Sequence, residues 1–259
     1  KSILVATMMI KARLLIPVLY FMLSMPVYAQ LPLPKPYAPL AQAIELLTQK
    51  KYKDAQHCLE DYIETYPHSL NVIEAQYYVA FCAIQLGRPN GEELFKQFIQ
   101  QHPHHRKAAL AYYQLGNLHF SNHNFLKSIE YYLQVAQAKL DDDTRTEYLY
   151  RLAYACMNEK NFDEALKYFT AIKSHKNPYQ HAASYYAGYI AYRKADYEVA
   201  LQDLRRAYIH STYQSVVPYL ALQIYYKQQR FQELVDYIKE VHRADTVLKN
   251  LDEIGFSSE

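Results

Sequence analysis

Residues able to do chemistry are few in this sequence, and the densest of them is His102-Pro103-His104-His105. Three imidazoles in four residues are a conceivable site for a transition metal, but Pro103 separates the rings and the run falls where a polar turn is expected, so an exposed loop is the simpler reading. His57, His119 and His123 have no partner at ligand spacing. Asp141, Asp142 and Asp143 offer three carboxylates in a row, yet they precede an apolar-periodic stretch. Acids there cap a helix and suit its positive end. Cys58, Cys82 and Cys156 are odd in number, lack CxxC spacing and lie in apolar helical contexts. They read as buried thiols and imply no disulfide framework. No GxSxG, HExxH, Walker or dinucleotide pattern occurs, and 5 Gly leave little material for a phosphate-cradling loop. The chain is therefore expected to be no enzyme and to use no cofactor or metal.

The residue type in excess is tyrosine, 28 of 259, with no Trp. An apolar content of 51% suffices for a core, and scarce Gly disfavours a turn-rich β architecture. Of 28 basic residues, Lys1, Lys11 and Arg13 lie in an N-terminal stretch free of acids, which leaves 25 against 26 acidic residues. Such balance gives no general attraction to nucleic acid.

That stretch has the plan of a secretory signal: Lys11 and Arg13, then an apolar run from Leu14 to Met25, then Val27-Tyr28-Ala29. Residues 1–29 are expected to be removed by cleavage after Ala29, because the run is shorter than the roughly 20 residues a membrane span needs. Met8 or Met9 would place a start just before the basic pair. No Cys stands near the cleavage point for lipid attachment. In residues 30–39, Pro32, Pro34, Pro36 and Pro39 prevent helix and predict an extended linker.

From Leu40 the sequence repeats. Tyr52, Phe125, Phe162, Tyr197 and Phe231 each open a second helix, followed three residues later by Ala55, Ser128, Ala165, Ala200 and Leu234. One repeat, around Gly91 and Leu94, fits the spacing without the aromatic. Gly116, Ala153 and Gly188 are small enough to let the first helix of a pair approach the second. Polar turns such as Ser121-Asn122-His123-Asn124 suit antiparallel hairpins, and Pro67, Pro103 and Pro178 punctuate the joints. This predicts an all-α protein of about six antiparallel helix pairs over residues 40–245. Residues 246–259 are expected to begin a further or capping helix, cut short if the chain belongs to a longer one.

The stretch "AALAYYQLGNLHFSNHNFLKSIEYYLQVA", with Tyr112, Leu115-Gly116, Phe125, Ser128 and Tyr132, resembles a tetratricopeptide repeat, as does "SYYAGYIAYRKADYEVALQDLRRAY". The resemblance implies a tetratricopeptide superhelix, an α-solenoid, that binds other proteins. The endings "LEDYIETYPHS" and "FKQFIQQHP" are similar to those of cell-envelope repeat proteins, such as the outer-membrane assembly lipoprotein and the Tol–Pal coordinator, though the lipid-attachment Cys of the former is missing. An exported protein of the periplasm or envelope is the expectation.

In such proteins one stripe of the first helices lines the concave face and meets the partner. Carried onto this register, the stripe holds Tyr113 and Asn117, Tyr150 and Tyr154, Tyr185, Tyr189 and Tyr192, and Tyr219 and Tyr226, with Arg193 and Lys227 near its end. A tyrosine ladder results, suited to an extended or helical segment rich in apolar and aromatic residues. The rings equally suit filling space between neighbouring first helices. In each of the pairs 112/113, 185/186 and 225/226 one ring is expected inside and one outside. The family's two-carboxylate clamp is mostly missing: only Asn117 matches, and Tyr occupies the Lys places. The functional expectation is a non-catalytic envelope scaffold. Alternatives are a carbohydrate-binding module, because Tyr rings stack on sugars, and a regulatory or structural domain of a longer envelope protein.

Overall fold

The computed structural model describes residues 37–241; the leader, most of the linker and the stretch 246–259 lie outside these residues. Among the described residues there are eleven bounded α-helices, and residues 231–241 are also helical. In chain order they are α1 (Tyr37–Thr48), α2 (Tyr52–Thr65), α3 (Val72–Gln85), α4 (Gly91–Gln101), α5 (Arg106–Ser121), α6 (Phe125–Leu133), α7 (Asp142–Asn158), α8 (Phe162–Lys173), α9 (Gln180–Arg193), α10 (Tyr197–Tyr208), α11 (Val217–Lys227) and α12, residues 231–241. Short 3₁₀ turns, Gln137–Lys139 and Ser211–Tyr213, follow α6 and α10. The first helix starts at Tyr37, earlier than the four prolines suggest. Pro39 falls in its first turn, where an N–H has no intrahelical partner to lose.

The chain forms two compact units, divided after Ala75. In the first, α1 packs on α2, which buries Ala55, Leu59 and Tyr62. The Tyr62 hydroxyl and Ser69 Oγ lie 2.6 Å apart and tie the end of α2 to the turn after it. The second unit, which begins within α3, is an all-helical solenoid in which each helix packs on the next in sequence.

One pattern organises the second helix of the first five pairs: a small residue, a large apolar one four positions on, and an apolar one three further. It reads Ala55-Leu59-Tyr62, Gly91-Phe95-Phe98, Ser128-Tyr132-Val135, Ala165-Phe169-Ile172 and Ala200-Leu204-Ala207, all buried. Positions i, i+4 and i+7 share a helix face, so the stripe forms one seam. This corrects the reading of the second repeat. Gly91 stands in the small position, not the aromatic one, and α4 lacks the opening turn that its counterparts have. A Cβ at Gly91 would lie 3.0 Å from the Ile84 backbone nitrogen, tighter than an ordinary van der Waals contact, so glycine suits the close approach there.

In the third pair the Tyr132 ring lies directly over Gly116, where a Cβ would come within 2.3 Å of it, and Ser128 Oγ donates to the Gly116 carbonyl (2.9 Å). The small–large exchange thus sets the distance between α5 and α6. Tyr132 continues into a core with Tyr113, Tyr148, Leu152 and Phe169. The Tyr148 hydroxyl donates to the Tyr132 carbonyl (3.1 Å), which joins one pair to the next. The acid run behaves as expected: Asp141 caps α7 and accepts from the Thr144 N–H at 2.8 Å. Cys82 and Cys156 are buried, but Cys58 is only half-buried because it lies beside the α2 seam and not on it.

Candidate functional site

The tyrosine stripe divides by depth. Tyr113 is a correction: at 4% exposure it lies in the core between Tyr132 and Tyr148, with ring centroids 6.2 and 6.5 Å away. Burial raises its hydroxyl to about 12. Its neighbour Tyr112 is half-buried, the reverse of an outward-pointing Tyr113. Asn117 is occupied internally, because its Oδ1 accepts the Tyr132 hydroxyl at 2.7 Å.

On α7 and α9 the rings of the stripe are half-buried. Tyr150 and Tyr154, one turn apart, have centroids 6.3 Å from each other. Tyr186 of the next first helix sits edge-on to Tyr154 at 5.4 Å and stacks on Phe169 at 5.5 Å. Tyr179, just ahead of α9, stacks on Tyr150 at 4.7 Å. Tyr185 stacks on Tyr213 at 5.1 Å. Tyr185 and Tyr186 are both half-buried, so the expectation of one ring inside and one outside fails for that pair: Phe169 and Tyr213 take one ring each. It holds for Tyr225 and Tyr226, buried and exposed respectively.

Further along, the Tyr192 hydroxyl donates to Gln223 Oε1 (2.7 Å), and the Lys227 ammonium lies 4.6 Å from the centre of the same ring. Tyr192 therefore couples α9 to α11. The Arg193 guanidinium lies 5.7 Å from the Phe162 ring and donates to the Tyr189 hydroxyl (3.3 Å). Tyr219 and Tyr226 are 67% and 68% exposed, with Phe231 6.2 Å from Tyr226.

Ring-to-ring packing fills the seams between first helices, and the half-buried rings remain partly exposed. Burial, with neighbouring phenols as a smaller cause, raises Tyr150 strongly and Tyr186 to about 12. Both hydroxyls are neutral at physiological pH and interact with each other, Tyr150 donating to Tyr186, which leaves the Tyr186 proton able to bond a carbonyl oxygen of an applied backbone. Tyr179, Tyr186 and Tyr213 belong to this face but not to the repeat stripe. Two of them lie in connecting segments, where helix periodicity carries no signal. The histidine run is engaged locally: His102 Nε2 and Gln76 Oε1 are 2.9 Å apart, and His105 caps α5. Among the described residues no group of three or more His, Cys, Asp or Glu is arranged to hold a metal, and no helix is long and apolar enough to cross a membrane.

Stacked helix hairpins with an aromatic face define a helical-repeat protein. A family model of the tetratricopeptide repeat matches residues 113–179 and 150–214, and the chain is a tetratricopeptide-repeat protein. Among solved structures, PilF of Pseudomonas aeruginosa superposes with a TM-score of 0.56 at 15% identity, over 81% of this chain and 91% of that one. MamA from Desulfovibrio magneticus RS-1 gives 0.53 at 16% identity, over 67% and 93%. A putative kinesin light chain from Podospora anserina gives 0.52 at 16%, over 67% and 93%. At such identities the likeness is one of fold. No curated protein sequence matches the chain at a significant level.

Proposed function

We propose that this protein is a non-catalytic interaction scaffold of the bacterial cell envelope, which receives an apolar, aromatic-rich segment of a partner protein on the tyrosine face of α7, α9 and α11. The observation that carries the reading is the run of half-open rings on successive first helices, ending in the exposed Tyr219 and Tyr226. Tyr provides a large rigid contact area with a hydroxyl at its tip and few rotamers to immobilise. Export rests on the leader pattern ending at Ala29.

The face is tested with Tyr219→Ala combined with Tyr226→Ala, because those side chains have little internal packing to lose. Tyr150, stacked on Tyr179, is a poorer choice. Residues 30–259 and the double variant are used side by side for affinity capture from envelope extract, with mass spectrometry as the readout. Recovery of a partner by the parent and its loss in the variant is the expected result; equal recovery by both would overturn the assignment of this face. The N-terminus of the protein expressed in a bacterial host tests export: Gln30 in the envelope fraction is expected, and an intact leader in the cytoplasm would refute it.

A further inference from the structure

Asp203 is the one buried carboxylate among the described residues, at 1% exposure in α10. It stands immediately before Leu204, the large residue of its seam. The corresponding residues in the other pairs are Cys58, Leu94, Tyr131 and Tyr168, none of them acidic. The repeat therefore does not need an acid at this position. Burying a carboxylate is costly before its partners compensate, and apolar substitutes for buried ion pairs are often at least as stable. Something other than helix packing accounts for Asp203.

Its partners supply the reason. Lys173, the last residue of α8, is itself largely buried and bonds Asp203 Oδ2, while Arg206 Nη1 lies 3.5 Å from Oδ1. One negative charge thus holds two positive ones and leaves a surplus of one. Both cations line a cleft of about 540 Å³, together with Gln180, His181 and Ser184 of α9. No acid lines it, and Arg206 is 51% exposed on its side chain, so its guanidinium is reachable from solvent. The His181 Nδ1–H donates to the Arg206 carbonyl (3.1 Å) and fixes the rim. The N-terminus of α9 meets the same cleft with no side-chain cap and no acid in its first turn, which adds positive potential.

We propose that this cleft is an oxyanion site, in which Asp203 pre-orients Lys173 and Arg206 to receive a carboxylate from an acidic segment of a partner protein. Arg206 is the contact residue, since its fork suits bidentate pairing with a carboxylate. The site lies where the ends of α8 and α10 meet the start of α9, and none of its residues belongs to the tyrosine stripe. That the carboxylate comes from a protein rests on the scaffold reading; the anion site does not.

The test is a titration of the ¹⁵N-labelled chain, residues 30–259, with an acetylated, amidated Ala-Asp-Asp-Ala peptide and, separately, with inorganic phosphate. Saturable shifts centred on Lys173, His181 and Arg206 are expected with the peptide, and phosphate should compete for them. Arg206→Gln should weaken binding at least tenfold. Lys194→Gln, which removes an exposed cation away from the cleft, should leave it unchanged. Equal affinity in Arg206→Gln, or absence of saturation by either probe, would overturn the site. Saturation by phosphate alone would overturn the peptide as its ligand, and that outcome is distinct from a failed partner capture on the tyrosine face. Helical circular dichroism of Arg206→Gln confirms that the variant is folded.

Discussion

At the scale of single residues, tyrosine performs three jobs that depend on depth. Tyr132 and Tyr148 are core side chains whose hydroxyls are spent inside the solenoid, on Asn117 and on the Tyr132 carbonyl. Tyr150, Tyr154 and Tyr186 cement neighbouring first helices, and Tyr219 and Tyr226 face water. Composition shows the excess of Tyr but not this division, because Tyr113 and Tyr150 occupy the same repeat position and differ only in what the next pair presses against them. The buried phenols make a prediction about alkali. Burial raises Tyr113 and Tyr148 to about 12, and Tyr132 further. An acid whose folded-state value is raised keeps its proton more tightly when folded. Its stabilisation is complete below the ordinary phenol value of about 10 and disappears as pH rises through about 12. With no Trp in the chain, tyrosinate absorbance near 295 nm reports directly. A fraction of that signal is expected to appear only together with loss of helical circular dichroism between about pH 10 and 12. Complete ionisation with full helicity retained would contradict the burial described.

At the scale of elements, the hairpin turns are more uniform than their sequences. Each of the six turns has a residue in the left-handed region: Lys50, Gly87, His123, Lys160, Ala195 and Gln229, with φ between 56° and 65°. In each, that residue's N–H bonds the carbonyl three back and the following N–H reaches five back, as from Asn124 to His119 and from Asp196 to Ala191. This is the Schellman arrangement, which satisfies the last carbonyls of the first helix. Glycine, its usual marker, occurs once in six, so the turns are legible in the sequence as polar breaks while their geometry is not. The second repeat shows the same limit. Gly91 looked like a missing aromatic because α4 is trimmed by a turn, and only the Phe95–Phe98 spacing reveals its register. An L-residue in this conformation costs roughly 1–2 kcal/mol, partly offset by the entropy glycine loses on folding. Ala195→Gly is accordingly expected to stabilise the protein by about 0.5–1 kcal/mol, read as a higher urea midpoint at unchanged slope. A lower midpoint would mean that the Ala195 methyl has packing that outweighs the strain.

At the scale of the whole molecule, the repeat period, the spacing from an opening aromatic to a small residue and the breakers were enough to read about six helix pairs and their order, because the pairs repeat a similar local solution. The oxyanion cleft was not legible, since Lys173, Asp203 and Arg206 are ordinary charged residues 30 positions apart until α8 and α10 bring them together. Stability in such a stack is a sum over neighbours and need not be even along the chain. The seams of α7 to α10 bury Leu152, Phe169, Ile190 and Leu204 almost fully, whereas no residue of 231–241 is buried and Phe231, Val235 and Ile238 are exposed. Helices that open without exposing much apolar surface open cheaply, so amide exchange should follow burial. Amides in the middle of α8 and α9 are expected to exchange at least about 100-fold more slowly than those of 231–241 at neutral pH, in hydrogen–deuterium exchange read by mass spectrometry. Comparable protection at both places would mean that the apolar side chains of 231–241 are covered in solution, by more of this chain or by another, and that the stack of seams alone does not set its stability.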